Sequence, residues 1–216
     1  MQEHFNFNTT ASGANVTGTN VTNIPILIRL DASNFDFSKT RAAGEDIQFI
    51  DREVAYLYHE VVEWDKANST GKVWVKVPQV DKNSTIDYIT LYYGCSNCVA
   101  SAYAVKDSVW SGYMSVFHLN APEDKAYDAA ALGNHGTYNN DQANVAGLTT
   151  LNATYFDGTD YVDVPNESNY DITSNISVSA WIKVASFTKT SQAIVTKGDG
   201  SWRMARNGAT VLTTRS

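Results

Sequence analysis

Paired carboxylates are the first feature that could support catalysis, because glycoside hydrolysis requires two carboxyl groups about 5–9 Å apart across a cleft. Glu60 and Glu63 are three residues apart in HEVVEWD, and a regular strand directs such residues to opposite faces. Glu123 and Glu167 fall in predicted loops. The sequence contains no Gly-x-Ser-x-Gly elbow, no His-Glu-x-x-His pair and no phosphate-binding loop. These patterns predict a protein without catalytic activity.

Aromatic side chains are the second feature with chemical potential, since the apolar face of a sugar ring stacks on tryptophan or tyrosine. The chain has 12 Tyr, 8 Phe and 5 Trp. Trp74 is the best candidate, because it lies opposite the face that carries three alternating valines. Each candidate has a core position as its alternative, since only one face of each sheet in a sandwich is open to solvent. The candidates for contacting a sugar are Trp64, Trp74, Tyr92, Trp110 and Trp202.

Carboxylate and amide oxygens are the ligands that calcium prefers, and the second half of the chain places several of them in loops. The candidate calcium ligands are Asp128, Asn134, Asp157, Asp160 and Asp163. Asp157 has an alternative role, because its side chain could cap the tight turn Phe-Asp-Gly. No pattern in the chain requires a cofactor. The one bound ion that the sequence suggests is a structural calcium ion.

Cys95 and Cys98 are the two cysteines, in the stretch GCSNCV. A redox pair with this spacing normally opens a helix in an α/β setting, and no such helix is predicted here. A zinc site would need two more ligands, for which His118 and His135 are isolated candidates. The third reading, a small disulfide that closes the loop after a strand, is the one we expect, and it fits an oxidising compartment.

The polar composition predicts an extracellular location. With 16 Lys+Arg against 23 Asp+Glu, the net charge of −7 argues against a nucleic-acid partner. Asn-x-Ser/Thr sequons occur about twice as often as the composition predicts. They fit either a glycosylated extracellular protein or a Thr- and Asn-rich bacterial surface protein without glycans. The sequons begin at Asn8, Asn15, Asn20, Asn68, Asn83, Asn152, Asn166 and Asn175.

No apolar run reaches the roughly 20 residues that a membrane helix needs, so membrane insertion is not expected. The first residues, MQEHFNFNTT, lack the charged start and apolar core of a signal peptide. Either an export signal has been removed or the chain starts at an internal boundary, so this feature does not argue for a cytoplasmic protein.

The chain is expected to fold as β-structure around KVWVKVP, residues 72–78, in which three valines alternate with Trp74 and Lys76. The run IDYITLYYG, residues 86–94, is rich in β-branched and aromatic residues, as a buried strand would be. The polar stretch QVDKNST separates the two runs. Together they predict a β-hairpin, on which other strands must pack.

Most of the remaining chain also has strand character. Phe35 and Phe37, in a long connection, are expected to fill the core, and residues 99–110 are expected to form a linker with a helical turn. Further strands are predicted at 4–8, 24–30, 46–50, 54–64 and 111–120, and in the stretches NATYFDGTDYVDVP, NISVSAWIKV, QAIVTKG and SWRMARNGATVL.

The first half of the chain resembles the domain of unknown function 2341, a family of secreted and surface proteins of bacteria and archaea. The resemblance covers about residues 5–110 and is carried by NIPILIRLDASNFDF, GEDIQFID, LYHEVVEWD, KVWVKVP and ITLYYG. These are packing and turn motifs, so the resemblance implies architecture without identifying an active site.

The second half resembles the start of a concanavalin A-like, laminin-G-like jelly roll over about residues 115–216. The carriers are VFHLN, DAAALGNHG, YFDGTDYVDVP, ISVSAWIKV, IVTKG and SWRMAR. The resemblance implies carbohydrate binding and a structural calcium ion in loops near these motifs. A complete jelly roll needs on the order of 150 residues, and only about 100 follow Ser115, so its closing strands are expected to be missing.

These observations predict an all-β protein with two sandwich units in tandem, residues 1–110 and 111–216, the second incomplete. The expected function is that of an extracellular, non-catalytic module that binds polysaccharide or glycan within a larger surface or secreted protein, as in adhesion. Two alternatives stay open. One is a structural subunit of an extracellular filament or surface layer, joined by β-strand addition at the open edge. The other is the accessory half of a polysaccharide-degrading enzyme.

Overall fold

The computed structural model describes residues 1–52, 54–120, 124–140, 143–150, 152–186, 191–198, 201–207 and 211–215. Nearly all of its regular elements are strands, so the all-β class is confirmed. None of the helices within these ranges is long and apolar enough to cross a membrane. The elements are β1 (Gln2–Asn6), β2 (Val21–Asp31), β3 (Gln48–Asp51), β4 (Ala55–Leu57), β5 (His59–Asp65), β6 (Thr70–Val80), β7 (Tyr88–Tyr92), α1 (Lys106–Val109), β8 (Lys125–Ala126), β9 (Gly136–Asn139), β10 (Ala143–Ala146), β11 (Asn152–Tyr155), β12 (Tyr161–Asp163), β13 (Ser191–Thr196), β14 (Arg203–Asn207) and β15 (Val211–Arg215), with short 3-10 turns at Phe37–Lys39 and Glu167–Tyr170.

The chain forms two compact units, Met1–Asp163 and Val164–Ser216. The predicted division into 1–110 and 111–216, and the completeness of a second sandwich, stay predictions. In the first unit, however, residues on both sides of position 110 belong to one folded body.

Two antiparallel sheets of the first unit enclose its main core. Sheet A has the strand order β1-β7-β3-β4, and sheet B has the order β2-β6-β5. The alternation predicted for β6 is confirmed, because its three valines are fully buried, and each such side chain contributes about 1.5–3 kcal/mol. The predicted core positions of Phe35 and Phe37 are also confirmed. The buried members are Ile28, Leu30, Phe35, Phe37, Ile47, Phe49, Leu57, Val73, Val75, Val77, Val80, Ile89, Leu91 and Tyr93.

The predicted hairpin between residues 72–78 and 86–94 is wrong. Strand β6 pairs with β2 and β5 in sheet B, whereas β7 pairs with β1 and β3 in sheet A. The connection between them crosses from one sheet to the other, and the Asp81 amide donates to Asp87 Oδ2 at 2.7 Å. Alternation of apolar residues identifies the buried side of each strand, but it does not identify the strand that supplies the hydrogen bonds.

The stretch 54–64 forms two strands instead of the predicted one. Strand β4 belongs to sheet A and β5 to sheet B, so the chain changes sheet at Tyr58. This change of sheet buries His59, which is 1 % exposed, with its Nδ1 3.3 Å from the Leu57 carbonyl oxygen and its ring 5.5 Å from that of Phe49. Burial lowers the pKa of His59 below its usual 6.5, although the bond to Leu57 acts in the opposite direction.

Residues 106–116, together with Ala129, Ala130 and Thr150, cover the outer face of sheet B. A second buried cluster forms there, and the two lysines that flank Trp74 on β6 bind the covering chain. Lys76 Nζ donates to the carbonyl oxygens of Ser108 at 3.3 Å and Ser111 at 3.1 Å, and Lys72 Nζ donates to that of Thr150 at 2.9 Å. The cluster consists of Val109, Trp110, Ala129 and Ala130, with Trp74 and Val116 packed against it.

Strand β9 lies between β8 and β12 in a small sheet, and β10 pairs with β11. The strand predicted at 111–120 is wrong, because this stretch contains only an isolated bridge from Phe117 to Asp128. The helical turn predicted within 99–110 is present as α1.

The second unit contains the antiparallel sheet β13-β14-β15. Lys197 holds the preceding turn, with Nζ 3.1 Å from Glu167 Oε2 and bonded also to Asp171. The strand predicted in NISVSAWIKV is wrong in this structure, because no strand forms within 173–186.

The buried imidazole of His59 makes the stability of the protein depend on pH. Because the folded state lowers its pKa, the unfolded chain binds a proton more readily, and the free energy of unfolding should fall as the pH drops below about 6.5. The slope can reach about 1.4 kcal/mol per pH unit until the pH reaches the lowered pKa. Urea unfolding at several pH values measures it. The variant His59→Gln should lose most of this slope, whereas His4→Gln, at an exposed position, should retain it; an equal slope in wild type and His59→Gln would contradict the assignment.

Candidate functional site

Trp64, the first of the predicted sugar-contacting residues, lies inside the sandwich. Its ring centroid is 5.7 Å from that of Phe35 and 5.2 Å from that of Phe37. The backbone lies equally close, since a methyl group at Gly44 or Gly71 would come within 2.7 or 3.2 Å of the indole. The ring is half-buried and packs against the main core, so the core alternative describes its position.

Trp74 and Trp110 meet on the outer face of sheet B, 5.1 Å apart in an edge-to-face arrangement. Trp110 is 5 % exposed, and its Nε1 donates to Glu60 Oε2 at 2.6 Å. Trp74 was the favoured sugar contact because it faces away from the valines of β6. That orientation is confirmed, but Val109, Val116, Ala129 and Ala130 pack around the two indoles.

The outer face of sheet A also carries aromatic rings. Unlike the outer face of sheet B, it has no buried apolar cluster packed over it among the described residues. Tyr92, another predicted candidate, lies on it between Gln2 of β1 and Gln48 of β3, its cross-strand neighbours. The next row pairs Thr90 with His4. Neither of the two buried apolar clusters found in the described ranges includes residues of this face.

We call this surface the tyrosine face. Its Tyr88 and Tyr92 are half-buried, Tyr56 on β4 is 55 % exposed, and Tyr56 stacks on Tyr103 at 5.1 Å. Thr90 Oγ1 lies 3.1 Å from His4 Nδ1. Thr90 itself is 0 % exposed, so the face presents the tyrosine rings with the exposed Gln2 and Asn6 amides and the His4 imidazole, a combination that suits sugars. Its members are Gln2, His4, Asn6, Gln48, Ile50, Tyr56, Tyr88, Thr90 and Tyr92.

Sequence reasoning missed all members of the tyrosine face except Tyr92. Gln2 and Gln48 are 46 residues apart in the chain and meet the same tyrosine only because β1 and β3 flank β7. The alternation in Tyr88–Tyr92, in which Tyr88, Thr90 and Tyr92 share one side, was the signal that could have found the tyrosine pair.

Trp202, the last aromatic candidate, belongs to the second unit. It is half-buried, and its Nε1 donates to the Tyr170 carbonyl oxygen at 3.0 Å. The same unit contains Trp181, which is 79 % exposed and was not among the candidates.

Asp128 and Asn134, two of the predicted calcium ligands, lie in one buried loop. Asp128 is 1 % exposed, and its Oδ1 accepts from the amides of Val116 at 2.8 Å and Ala130 at 2.9 Å. Its Oδ2 accepts from the Asn134 amide at 3.0 Å. The carboxylate therefore organises the backbone of the loop.

Asp157 and Asp160 lie in an exposed turn, where the alternative predicted for Asp157 is confirmed. Asp157 Oδ1 accepts from both the amide and the hydroxyl of Thr159 at 2.8 Å, and these bonds hold its pKa below the usual value. Asp160 Oδ2 accepts from the Asp157 amide at 3.0 Å. Asp163 ends β12. No group of three or more His, Cys, Asp or Glu side chains within the described ranges is placed to hold a metal, so calcium stays a prediction.

The substitution Asp128→Ala separates the two roles of this carboxylate. It leaves three backbone donors without their acceptor, so we expect the free energy of unfolding to fall by about 3 kcal/mol or more. Urea unfolding with added calcium and with a chelator measures it, with Asp157→Ala as the exposed comparison. If Asp128→Ala loses the same free energy of unfolding with calcium as with chelator, the carboxylate acts only on the loop backbone. If calcium stabilises the wild type but not Asp128→Ala, the Asp128 carboxylate is a calcium ligand.

Cys95 and Cys98 form the expected disulfide, with their Cα atoms 5.4 Å apart. It closes the loop directly after β7, as the sequence predicted. His118 and His135 have other partners: His118 Nε2 lies 3.1 Å from Glu60 Oε2, and His135 Nδ1 accepts from the Asp128 amide.

The sequon asparagines are exposed with the exception of Asn152, which is half-buried. Several have structural roles of their own. Asn15, Asn83 and Asn166 adopt positive φ angles of 48–60°, the left-handed region that asparagine tolerates in turns. Turn geometry is thus an alternative reason for asparagine at these three positions, and glycosylation stays a prediction.

A β-bulge places Glu60 and Glu63 on the same face of β5, so the expectation of opposite faces is wrong. Glu60 pairs with Trp74 and Glu63 with Lys72, two residues apart on one side of β6, because the register shifts between Val61 and Glu63. The two carboxylates nevertheless have separate surroundings. Lys72 Nζ lies 2.7 Å from Glu63 Oε2, whereas Glu60 binds Trp110 and His118.

Each carboxylate also lines its own cavity. Glu63 borders an open depression of about 530 Å³. Glu60 forms part of a cavity of about 340 Å³ between β5 and the covering chain, whose walls include Lys106, His118, Lys125 and His135. These walls come from both sides of position 110, so the cavity exists only because sheet B is covered.

Two family models match the chain in the order that the resemblance predicted. Residues 43–118 match the domain of unknown function DUF2341. Residues 156–216 match the concanavalin A-like lectin/glucanases superfamily. Comparisons with curated proteins and with solved structures find no match.

Proposed function

Starting from a DUF2341 match followed by a concanavalin A-like lectin/glucanases match, we propose that the chain is an extracellular, non-catalytic module that binds carbohydrate. The second match supports carbohydrate as the class of ligand. The observation that carries the proposal is the tyrosine face, where Tyr92 lies between Gln2 and Gln48.

The tyrosine face suits an extended glycan for physical reasons. A sheet surface is nearly flat, so rings at successive positions can stack on several sugar units of one chain. Tyr88 and Tyr92 are on the same side of β7, four residues apart, which is about 13–14 Å along a strand. The exposed Gln2 amide beside Tyr92 can exchange hydrogen bonds with sugar hydroxyls, whereas the Gln48 amide is bonded to Phe49 and Ser101.

The replacement Tyr92→Ala should weaken polysaccharide binding. Loss of one stacked ring removes roughly 1 kcal/mol or more, so the dissociation constant should rise about five- to tenfold, and Tyr88→Ala should act in the same direction. Affinity electrophoresis against neutral and acidic polysaccharides identifies the ligand, and titration of the best one measures the change.

Tyr155→Ala is the matched control, because Tyr155 is 51 % exposed on β11, away from sheet A. Its affinity should equal that of the wild type. Unchanged affinity in Tyr92→Ala would show that the binding site is not on the tyrosine face. If no polysaccharide retards the protein, the proposal of carbohydrate binding is wrong.

The second candidate function is assembly by β-strand addition, and a specific segment favours it. In ISVSAWIKV, apolar residues alternate as in a strand, but residues 173–186 pair with no strand. Trp181 is 79 % exposed, Ile182 44 % and Val184 43 %. An exposed apolar segment that pairs with no strand among the described residues offers pairing to another chain.

Light scattering over a range of protein concentrations tests this candidate. Strand addition predicts masses that rise above 23.7 kDa with concentration, since pairing requires a second molecule. The variant Ile182→Lys should return the protein to the monomer, whereas Val99→Lys, at an 88 % exposed valine of the first unit, should leave assembly unchanged. A constant mass of 23.7 kDa would contradict assembly.

A further inference from the structure

We propose that the open edge of β1 receives residues 176–184 of a second copy of this chain as an added strand. This acceptor rests on the strand-addition candidate described above, which supplies the segment but no surface to receive it. Every copy then carries both the segment and the edge, so addition runs head to tail and gives growing chains of molecules instead of closed pairs.

The pairing of β1 with β7 leaves one side of the β1 backbone open. The Tyr93 amide donates to the Met1 carbonyl oxygen at 3.1 Å, and the Phe7 amide donates to that of Asp87 at 2.8 Å. Because hydrogen-bonding direction alternates along an antiparallel strand, the even-numbered residues of β1 direct their N–H and C=O groups away from β7. No described residue pairs with these backbone groups. They belong to Gln2, His4 and Asn6, which are all exposed.

The other three edge strands of the two main sheets are short or partly blocked. On β2, Pro25 has no amide proton, and the Arg29 carbonyl oxygen accepts from Asn34 Nδ2 at 3.1 Å. On β5, the His59 amide donates to the Tyr103 carbonyl oxygen at 2.9 Å. Strand β4 has three residues. Prolines, caps and short strands protect sheet edges from pairing, so β1 is the one of these four edges without such protection.

The two sides of the segment match the two sides of sheet A at this edge. In ISVSAWIKV, apolar residues alternate with Ser177, Ser179, Trp181 and Lys183. On β1, the half-buried Phe5 packs against the main core, whereas the exposed residues lie on the tyrosine face. An added strand can therefore place its apolar side beside Phe5 and its other side along the tyrosine face. The reverse orientation would direct Lys183 toward the core, so the pattern selects one way of adding.

Addition satisfies unpaired groups on both partners. The outward-directed residues of β1 offer about six backbone hydrogen bonds to an antiparallel partner. Residues 173–186 form no strand, so their backbone has no sheet pairing of its own. Addition also covers Ile182 and Val184, which are 44 % and 43 % exposed. Main-chain bonds combined with burial of alternate side chains are the physical basis of strand addition.

The variant His4→Pro tests the acceptor, because proline removes an outward-directed amide and is tolerated at a sheet edge. In light scattering, the protein concentration at which half of the chains are assembled should rise at least about tenfold. The matched control His4→Gln removes the imidazole but keeps the amide, so it should assemble as the wild type does.

The outcomes separate this acceptor from strand addition itself. If His4→Pro assembles like the wild type while Ile182→Lys does not assemble, β1 is not the acceptor and strand addition stands. If the wild type stays monomeric at every concentration, both proposals are wrong. A loss of assembly in His4→Gln equal to that in His4→Pro would overturn the backbone role of the edge.

Mixing two defective variants tests the same joint by a gain of assembly. His4→Pro retains the segment, and Ile182→Lys retains the edge. Each variant alone should stay monomeric, whereas an equimolar mixture should form particles of two chains and no larger ones, because such a pair has no intact edge and segment left. A mixture that contains only monomers would overturn the proposal, and so would particles of more than two chains.

Discussion

Strand β6 is covered on both faces, and this constraint decides which other surfaces of the first unit are available. Its valines face the core between the sheets, and Trp74 on the other side lies under Trp110. Burying the second face also brings Lys72 and Lys76 near the covering chain, where an unpaired ammonium would be costly. Glu63 and the carbonyl oxygens of Ser108, Ser111 and Thr150 supply the partners.

The residues that pack over sheet B give the aromatic side chains of the first unit two kinds of surroundings. Trp110 is buried, and Trp64 and Trp74 are half-buried against other rings. On the outer side of sheet A, Tyr88 and Tyr92 are half-buried and Tyr56 is 55 % exposed, and neither apolar cluster of the described residues packs over them. A carbohydrate-binding function thus favours Tyr92 over Trp74, although the two residues have the same strand periodicity in the sequence.

The bulge in β5 shows how one residue changes the chemistry of a surface. Without it, Glu63 would point into the core with no partner, which would cost several kcal/mol. With it, Trp64 turns inward against Phe35 and Phe37, and Glu63 turns outward to Lys72. The same shift leaves Glu60 beside His118 at the cavity floor. The two carboxylates share a face but have different partners.

Much of the local structure could be predicted from the sequence. The alternation of β6, the core positions of Phe35 and Phe37, the disulfide of Cys95 with Cys98 and the turn role of Asp157 each depend on residues within a few positions of one another. Side-chain direction in a strand repeats every two residues, and turn chemistry is local, so short windows contain the necessary information.

Only the tertiary structure decided the pairing of strands and the exposure of faces. The sequence contains β6 and β7 as consecutive apolar runs, but their hydrogen bonds go to strands of two different sheets. Gln2, Tyr92 and Gln48 form one row because distant strands meet, and Trp74 is covered because Trp110 and the other residues of the second cluster pack over it. Periodicity determines which side of a strand is apolar, whereas the long-range packing that buries the most apolar surface determines what lies against it.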